Sequence, residues 1–112
     1  MIRRQYLSNS PEDQKLLTLA KATMARSNSK SAAALRDTTG RTYVAIPVKS
    51  KGFAVDSLLA VLVVAKASQI TGIEAIVITG EISPMTSIEI VRAESPLVKI
   101  YSATDTDELL AI

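Results

Sequence analysis

Lys49-Ser50-Lys51 places two amines and a hydroxyl within three residues, and Asp56-Ser57 follows as a carboxylate beside a second hydroxyl. Groups of these types can serve as nucleophiles. A lysine does so when desolvation or a cationic neighbour lowers its pKa, and a serine when an adjacent base takes its proton. Here the two lysines stand in a polar stretch that ends at Gly52 and reads as a solvated loop. Asp56 and Ser57 precede a long apolar run, the place of helix-capping residues. Glu89 and Glu94 read as solvent-facing residues of a later helix. Ser83-Pro84 opens that helix, whose first amides could hold an anion, but the four glycines are scattered singly and build no phosphate loop.

Cysteine and histidine are both missing from the chain. Neutral imidazole and thiolate are the usual protein ligands of zinc and of most catalytic transition metals. Histidine is also the commonest general base near neutral pH. A zinc hydrolase, a cysteine enzyme, a serine–histidine hydrolase and a disulfide scaffold are therefore excluded by composition, and no cofactor or metal is expected.

With 112 residues the chain is expected to form one domain over 1–112, with 1–9 as a flexible N-terminal arm. Hydrophobic residues make up 47% of it and the mean hydropathy is +0.23, values of a globular rather than a disordered protein. No signal peptide is expected, because Met1 to Tyr6 runs straight into polar Ser8-Asn9-Ser10, and the longest apolar run, Leu58 to Ala65, is far short of the roughly 20 residues that span a bilayer. A cytoplasmic location and no membrane partner are expected. Residues 1–51 hold ten Lys/Arg against three acids, and residues 52–112 hold three against eight. Nucleic acid is nevertheless a disfavoured partner, because no basic run appears and one Phe, three Tyr and no Trp leave few platforms for base stacking.

These residues must be held by a short series of elements. Ser10-Pro11-Glu12-Asp13 carries a cap, a first-turn proline and two acids, and Leu16, Leu17, Ala20 and Met24 continue at helical spacing, so a helix is predicted over 11–26. Ala32 to Leu35 and Thr42 to Ile46 read as strands around the turn Asp37-Thr38-Thr39-Gly40. Pro47 ends or bends the second strand. The stretch 54–70, apolar nearly all round, predicts a buried helix. Ile73 to Thr79 reads as a central strand, 84–94 as a helix, Leu97 to Tyr101 as a strand, and Thr104 to Leu110 as a terminal helical turn.

The order of landmarks resembles the cytidine deaminase family over nearly the whole chain. Ala32-Ala33-Ala34-Leu35 is similar to the family's G-A-A-L strand, and Thr39-Gly40-Arg41-Thr42-Tyr43 to its D-G-[KR]-x-Y turn. Ala45 to Phe53 then spans the place of G-x-N-x-E-N-A-x-Y. Continuing ungapped, C-A-E falls on Leu58-Leu59-Ala60. Ser83 to Glu94 stands for S-P-C-G-x-C-R-Q-V-x-x-E, and Asp107-Glu108-Leu109-Leu110 resembles a closing acidic-E-L-L segment.

In zinc deaminases a His or Cys and the two Cys of P-C-x-x-C hold the metal, and a glutamate shuttles the proton. The resemblance puts Leu58, Met85 and Ile88 at the ligand positions and Ala60 at the glutamate. All four are apolar, which implies a metal pocket turned into core, with Met85 packed inside it. Pro47 and Lys49 replace the Asn and Glu that contact the sugar in the family, and Phe53 keeps aromatic character; the three mark a vestigial pocket rim. The fold implied is α/β, a mixed β-sheet of about four or five strands flanked by helices, with one buried central helix. The function implied is that of a catalytically inactive, metal-free family member acting through binding or homo-oligomeric assembly. A dimer is favoured, because family members commonly associate through their central helices. A nucleoside- or nucleotide-directed hydrolase and a nucleic-acid-binding module using the basic N-terminal half remain as alternatives.

Overall fold

The computed structural model describes residues 7, 8 and 10–112. The expected arm over 1–9 lies outside the described residues except at Leu7–Ser8, which form a short strand, β1. Then come α1 (Pro11–Ser27), β2 (Ser31–Asp37), β3 (Thr42–Ala45), β4 (Val48–Lys49), β5 (Ala54–Val55), α2 (Ser57–Ala67), β6 (Ile73–Gly80), α3 (Met85–Glu94), β7 (Lys99–Ala103) and β8 (Leu109–Ala111). One sheet runs in the order β1-β8-β7-β6-β2-β3, while β4 and β5 make a separate two-stranded hairpin. β6 and β7 are parallel, as a strand–helix–strand unit through α3 requires, and the other pairs are antiparallel. Five strands of three or more residues and three helices make the mixed α/β architecture that the sequence order indicates.

The alternation of side chains along each strand divides the interior into two cores. Ala32 and Ala34 of β2 and Ala75 and Val77 of β6 share one core with Leu16, Leu17 and Ala20 of α1. Ala33 and Leu35, with Ile76 and Ile78, share the other with Leu58, Val61, Leu62 and Ala65 of α2 and Ile88 and Val91 of α3. The central strands are thus covered on both faces, so they read as continuous apolar runs. The alanines let the helices lie close to the sheet.

Local chemistry fixes the joints. At the β2–β3 turn, Asp37 Oδ1 accepts from the Thr39 amide at 2.9 Å, the Thr39 hydroxyl at 2.7 Å and the Arg41 amide at 2.9 Å. Gly80 closes β6 at φ +88°, where an added Cβ would lie 2.2 Å from the Lys30 carbonyl oxygen, so only glycine fits. Ser10 occupies the α1 N-cap position without a side-chain cap bond. Asp56 caps α2 with its carboxylate.

Three expectations are corrected. The helix predicted over 54–70 occupies only Ser57–Ala67, because Ala54–Val55 pairs with Val48–Lys49 as a hairpin. It is not buried all round either: Val63 is 62% and Val64 43% exposed. The terminal segment read as a helical turn ends in strand β8, whose Leu109–Ala111 pairs with β7.

Candidate functional site

α2 and α3 begin close together, and the side chains at their N-termini form a small polar junction. Asp56 Oδ2 accepts from the Leu58 and Leu59 amides at 3.1 and 3.4 Å. Its other oxygen, Oδ1, accepts from the Ser87 hydroxyl of α3 at 2.6 Å. Ser31 Oγ of β2 donates to Ser57 Oγ at 3.2 Å, and Ser83 Oγ is buried with no partner among the described residues. Ser57, Ser83 and Ser87 are all buried, so no substrate in solution reaches the Ser87 hydroxyl. Both carboxylate oxygens of Asp56 are committed to capping and to the α2–α3 tie. The junction fastens two helices and presents no free base.

The positions matched to a zinc site carry no metal-binding donor. Leu58 and Ile88 lie in the α2–α3 core. Met85, expected inside that core, is 62% exposed at the first turn of α3; the turn directs it outward and leaves Ile88 to fill the interior. Ala60 is buried and lines a surface groove. Asp56, the cap of α2, bonds to Ser87 of α3, and Lys66 pairs with Glu94 at 3.0 Å near the other ends of the two helices. Sliding the match along residues 54–62 restores nothing, because that stretch contains no Cys, His or Glu. The donors gathered at the junction are hydroxyls and one spent carboxylate, whereas zinc takes thiolate, imidazole or free carboxylate. The residues present do not fit a zinc ion. Among the described residues no group of three or more His, Cys, Asp or Glu is placed to hold a metal.

Beside the junction lies a groove of about 410 Å³. Ala45 and Ile46 form one wall, Val48, Phe53 and Val55 of the hairpin another, and Ala60, Val63 and Val64 of α2 the third. Of the expected rim, Phe53 lines this groove; Pro47 and Lys49 do not, although Ile46 and Val48 beside them do. Nitrogen and oxygen atoms are nearly absent from its walls. A nucleoside entering it would leave its base and sugar hydrogen-bonding groups without partners, a cost of about 1–3 kcal/mol for each group. The sequence signal for the groove is the i, i+3, i+4 set Ala60, Val63 and Val64, which looks like burial until the exposed outer side of α2 is seen.

A third cluster is purely structural. Arg36 donates through Nη2 to Asp13 at 2.9 Å and through Nε to Glu74 at 2.6 Å, and Ser8 donates to Asp13 at 2.6 Å. Burial opposes the charge on Arg36, but the bonds to Glu74 and Asp13 outweigh it and hold its pKa above the ordinary value.

A family model described as cytidine deaminase-like matches residues 9–107. The fold is shared with the crystal structure of a cytidine deaminase from Burkholderia pseudomallei, at 22% identity over 87% of this chain and 90% of that one, with a TM-score of 0.70. A cytidine deaminase from Mycobacterium leprae is also similar, at 17% identity over 89% and 92% of the two chains and a TM-score of 0.63. No curated protein matches the sequence.

Proposed function

The chain belongs to the cytidine deaminase-like family, and from that premise we propose that it is a catalytically inactive, metal-free member that acts by binding or by homo-oligomeric assembly in the cytoplasm. The observation that supports this reading is the junction of α2 and α3, where the Asp56–Ser87 bond and buried apolar side chains leave no donor free for a metal. Rate enhancements of at least 10⁶-fold need about 8 kcal/mol of transition-state stabilisation. Leu58, Met85, Ile88 and Ala60 cannot activate water or shuttle a proton, and binding alone stabilises ground and transition states alike.

What the molecule offers instead is apolar surface. Phe53, Val63, Val64 and Val48 are 58, 62, 43 and 43% exposed around one groove. A contiguous patch of this kind marks an interaction site. No helix among the described residues is long and apolar enough to cross a membrane.

Pure protein, freed of host deaminase, is expected to release no ammonia from cytidine or deoxycytidine and to carry no stoichiometric zinc by elemental analysis. Ala60→Glu should not restore turnover, since no metal site would accompany the new carboxylate. Ammonia release above the buffer blank, or one tightly bound zinc per chain, would overturn the proposal.

A further inference from the structure

We propose that β3 pairs antiparallel with β3 of a second copy about a two-fold axis through Val44, joining the two six-stranded sheets into one. The inference rests on the reading that the chain assembles with itself, and it names the strand and the register.

β3 ends the sheet, with β2 on one side and no strand among the described residues on the other. Hydrogen bonding alternates along an antiparallel strand, and the Asp37 amide bonds to the Arg41 carbonyl. Tyr43 and Ala45 continue that alternation and bond inward to Leu35 and Ala33, their partners in register. The amides and carbonyls of Thr42 and Val44 therefore point away from β2, and no backbone group among the described residues meets them there. Ile46 extends the series, because a residue before proline favours extended backbone. Sheet edges are ordinarily closed by charged side chains, bulges or prolines. Thr42-Tyr43-Val44-Ala45-Ile46 carries no charge, the β2–β3 register runs without a shift, and the missing N–H of Pro47 falls on the side of β2. This edge is left open to pairing.

The segment is also complementary to itself. With Val44 opposite its equivalent, Thr42 stands opposite Ile46 of the second copy and Tyr43 opposite Ala45, so the bulky ring meets the small side chain. The outward groups of these residues then exchange about six backbone bonds. Like charges directly opposite one another destabilise a strand pair, and here none meet, since the nearest charge, Arg41, faces Pro47 of the second copy. One two-fold contact satisfies both edges at once. Ala45 and Ile46 also wall the apolar groove that Val63 and Val64 of α2 line, so the second copy lies beside the exposed side of that helix.

The chain has no cysteine, so a single introduced one reports the register. On mild oxidation Val44→Cys should give a disulfide-linked dimer of twice 12.0 kDa, because hydrogen-bonded partners stand about 5.5 Å apart at Cα, within disulfide reach. Thr42→Cys should give none, its equivalents being about 14 Å apart along the strands. Thr42→Pro changes an exposed position whose amide β2 does not use, and by symmetry it removes two bonds. It should raise the dimer dissociation constant by about tenfold or more in light scattering while the far-UV circular dichroism stays that of the parent. A dimer broken by Val63→Asp, yet indifferent to Thr42→Pro and not cross-linked through Val44→Cys, overturns this inference and leaves assembly standing. Cross-linking through Thr42→Cys as readily as through Val44→Cys overturns it too. A parent of 12.0 kDa at every concentration overturns both. Ammonia release from cytidine by a dimer that cross-links through Val44→Cys would overturn the inactivity and leave the pairing standing.

Discussion

Asp37 gives the fold a pH dependence at acid pH. The hydrogen bond from the Thr39 hydroxyl, with amide bonds from Arg41 and Thr39, outweighs its burial and holds its carboxyl below the ordinary value. A depressed folded pKa stabilises the protein fully above the unfolded value of about 3.9, and that stabilisation fades as pH falls through the folded value. Asp37→Asn keeps an acceptor oxygen but cannot titrate, so its melting temperature should fall less steeply than the parent's from about pH 4 downward; superimposable acid limbs would refute the assignment. Arg36 is the other costly residue. Its side chain is 12% exposed and that of its partner Asp13 6%, so Arg36→Met leaves a buried carboxylate supported by Ser8 alone. A loss of about 3–5 kcal/mol in urea unfolding is expected, part of it recovered in Arg36→Met/Asp13→Asn. A loss under about 1 kcal/mol would mean that water reaches the pair. Residue types were largely readable in the sequence here, but directions were not. Met85 and Ile88 are both apolar and three positions apart, and only the entry angle of α3 decides that one faces solvent and the other the core.

The elements most legible in the sequence are those whose signals are local. Pro11 with its following acids marked α1, the β-branched run marked β6, and Asp37 to Gly40 marked the first hairpin. β1, β4, β5 and β8 were missed, and all are short. β8 exists because β7 and β1 lie on either side of it, a tertiary cause that a closing Glu-Leu-Leu sequence does not display. Asp56 shows the reverse, a capping residue evident in the sequence whose second bond, to Ser87, needed the fold to bring α3 beside α2. Asp56→Ala should therefore cost more than the usual cap loss of about 1 kcal/mol, because the buried Ser87 hydroxyl is orphaned as well; about 2 kcal/mol is expected by chemical denaturation. Asp56→Asn, whose one oxygen still accepts from the Leu58 and Leu59 amides while its NH2 group donates to the Ser87 hydroxyl oxygen, should recover most of it. Equal losses in the two variants would show that charge rather than hydrogen bonding holds the junction.

At the scale of the molecule, the apolar run 54–70 foretold burial, and the fold supplies it on one side of α2 only. Two layers of helix cannot wrap a third face, so Val63 and Val64 remain outside with the hairpin's Phe53. Light scattering is expected to give about twice the chain mass of 12.0 kDa, falling to the single-chain value in Val63→Asp; a parent at 12 kDa across a wide concentration range would remove assembly from the proposal. The lack of cysteine and histidine was legible from composition, whereas the polar tie between Asp56 and Ser87 was not, since serines signal nothing until their neighbours are known. The pairing of β1 with β8 carries a mechanical consequence. Leu7 lies opposite Leu110 and Ser8 opposite Leu109, so tension applied before residue 7 and after residue 111 pulls both strands from the same end. Load then falls on one backbone bond at a time, like a zip, instead of shearing several at once. Stretched between these points, the domain should open from this sheet edge at low force, leaving β2, β6 and their two cores to resist until later, a sequence that optical-tweezer pulling would resolve as a weak early step.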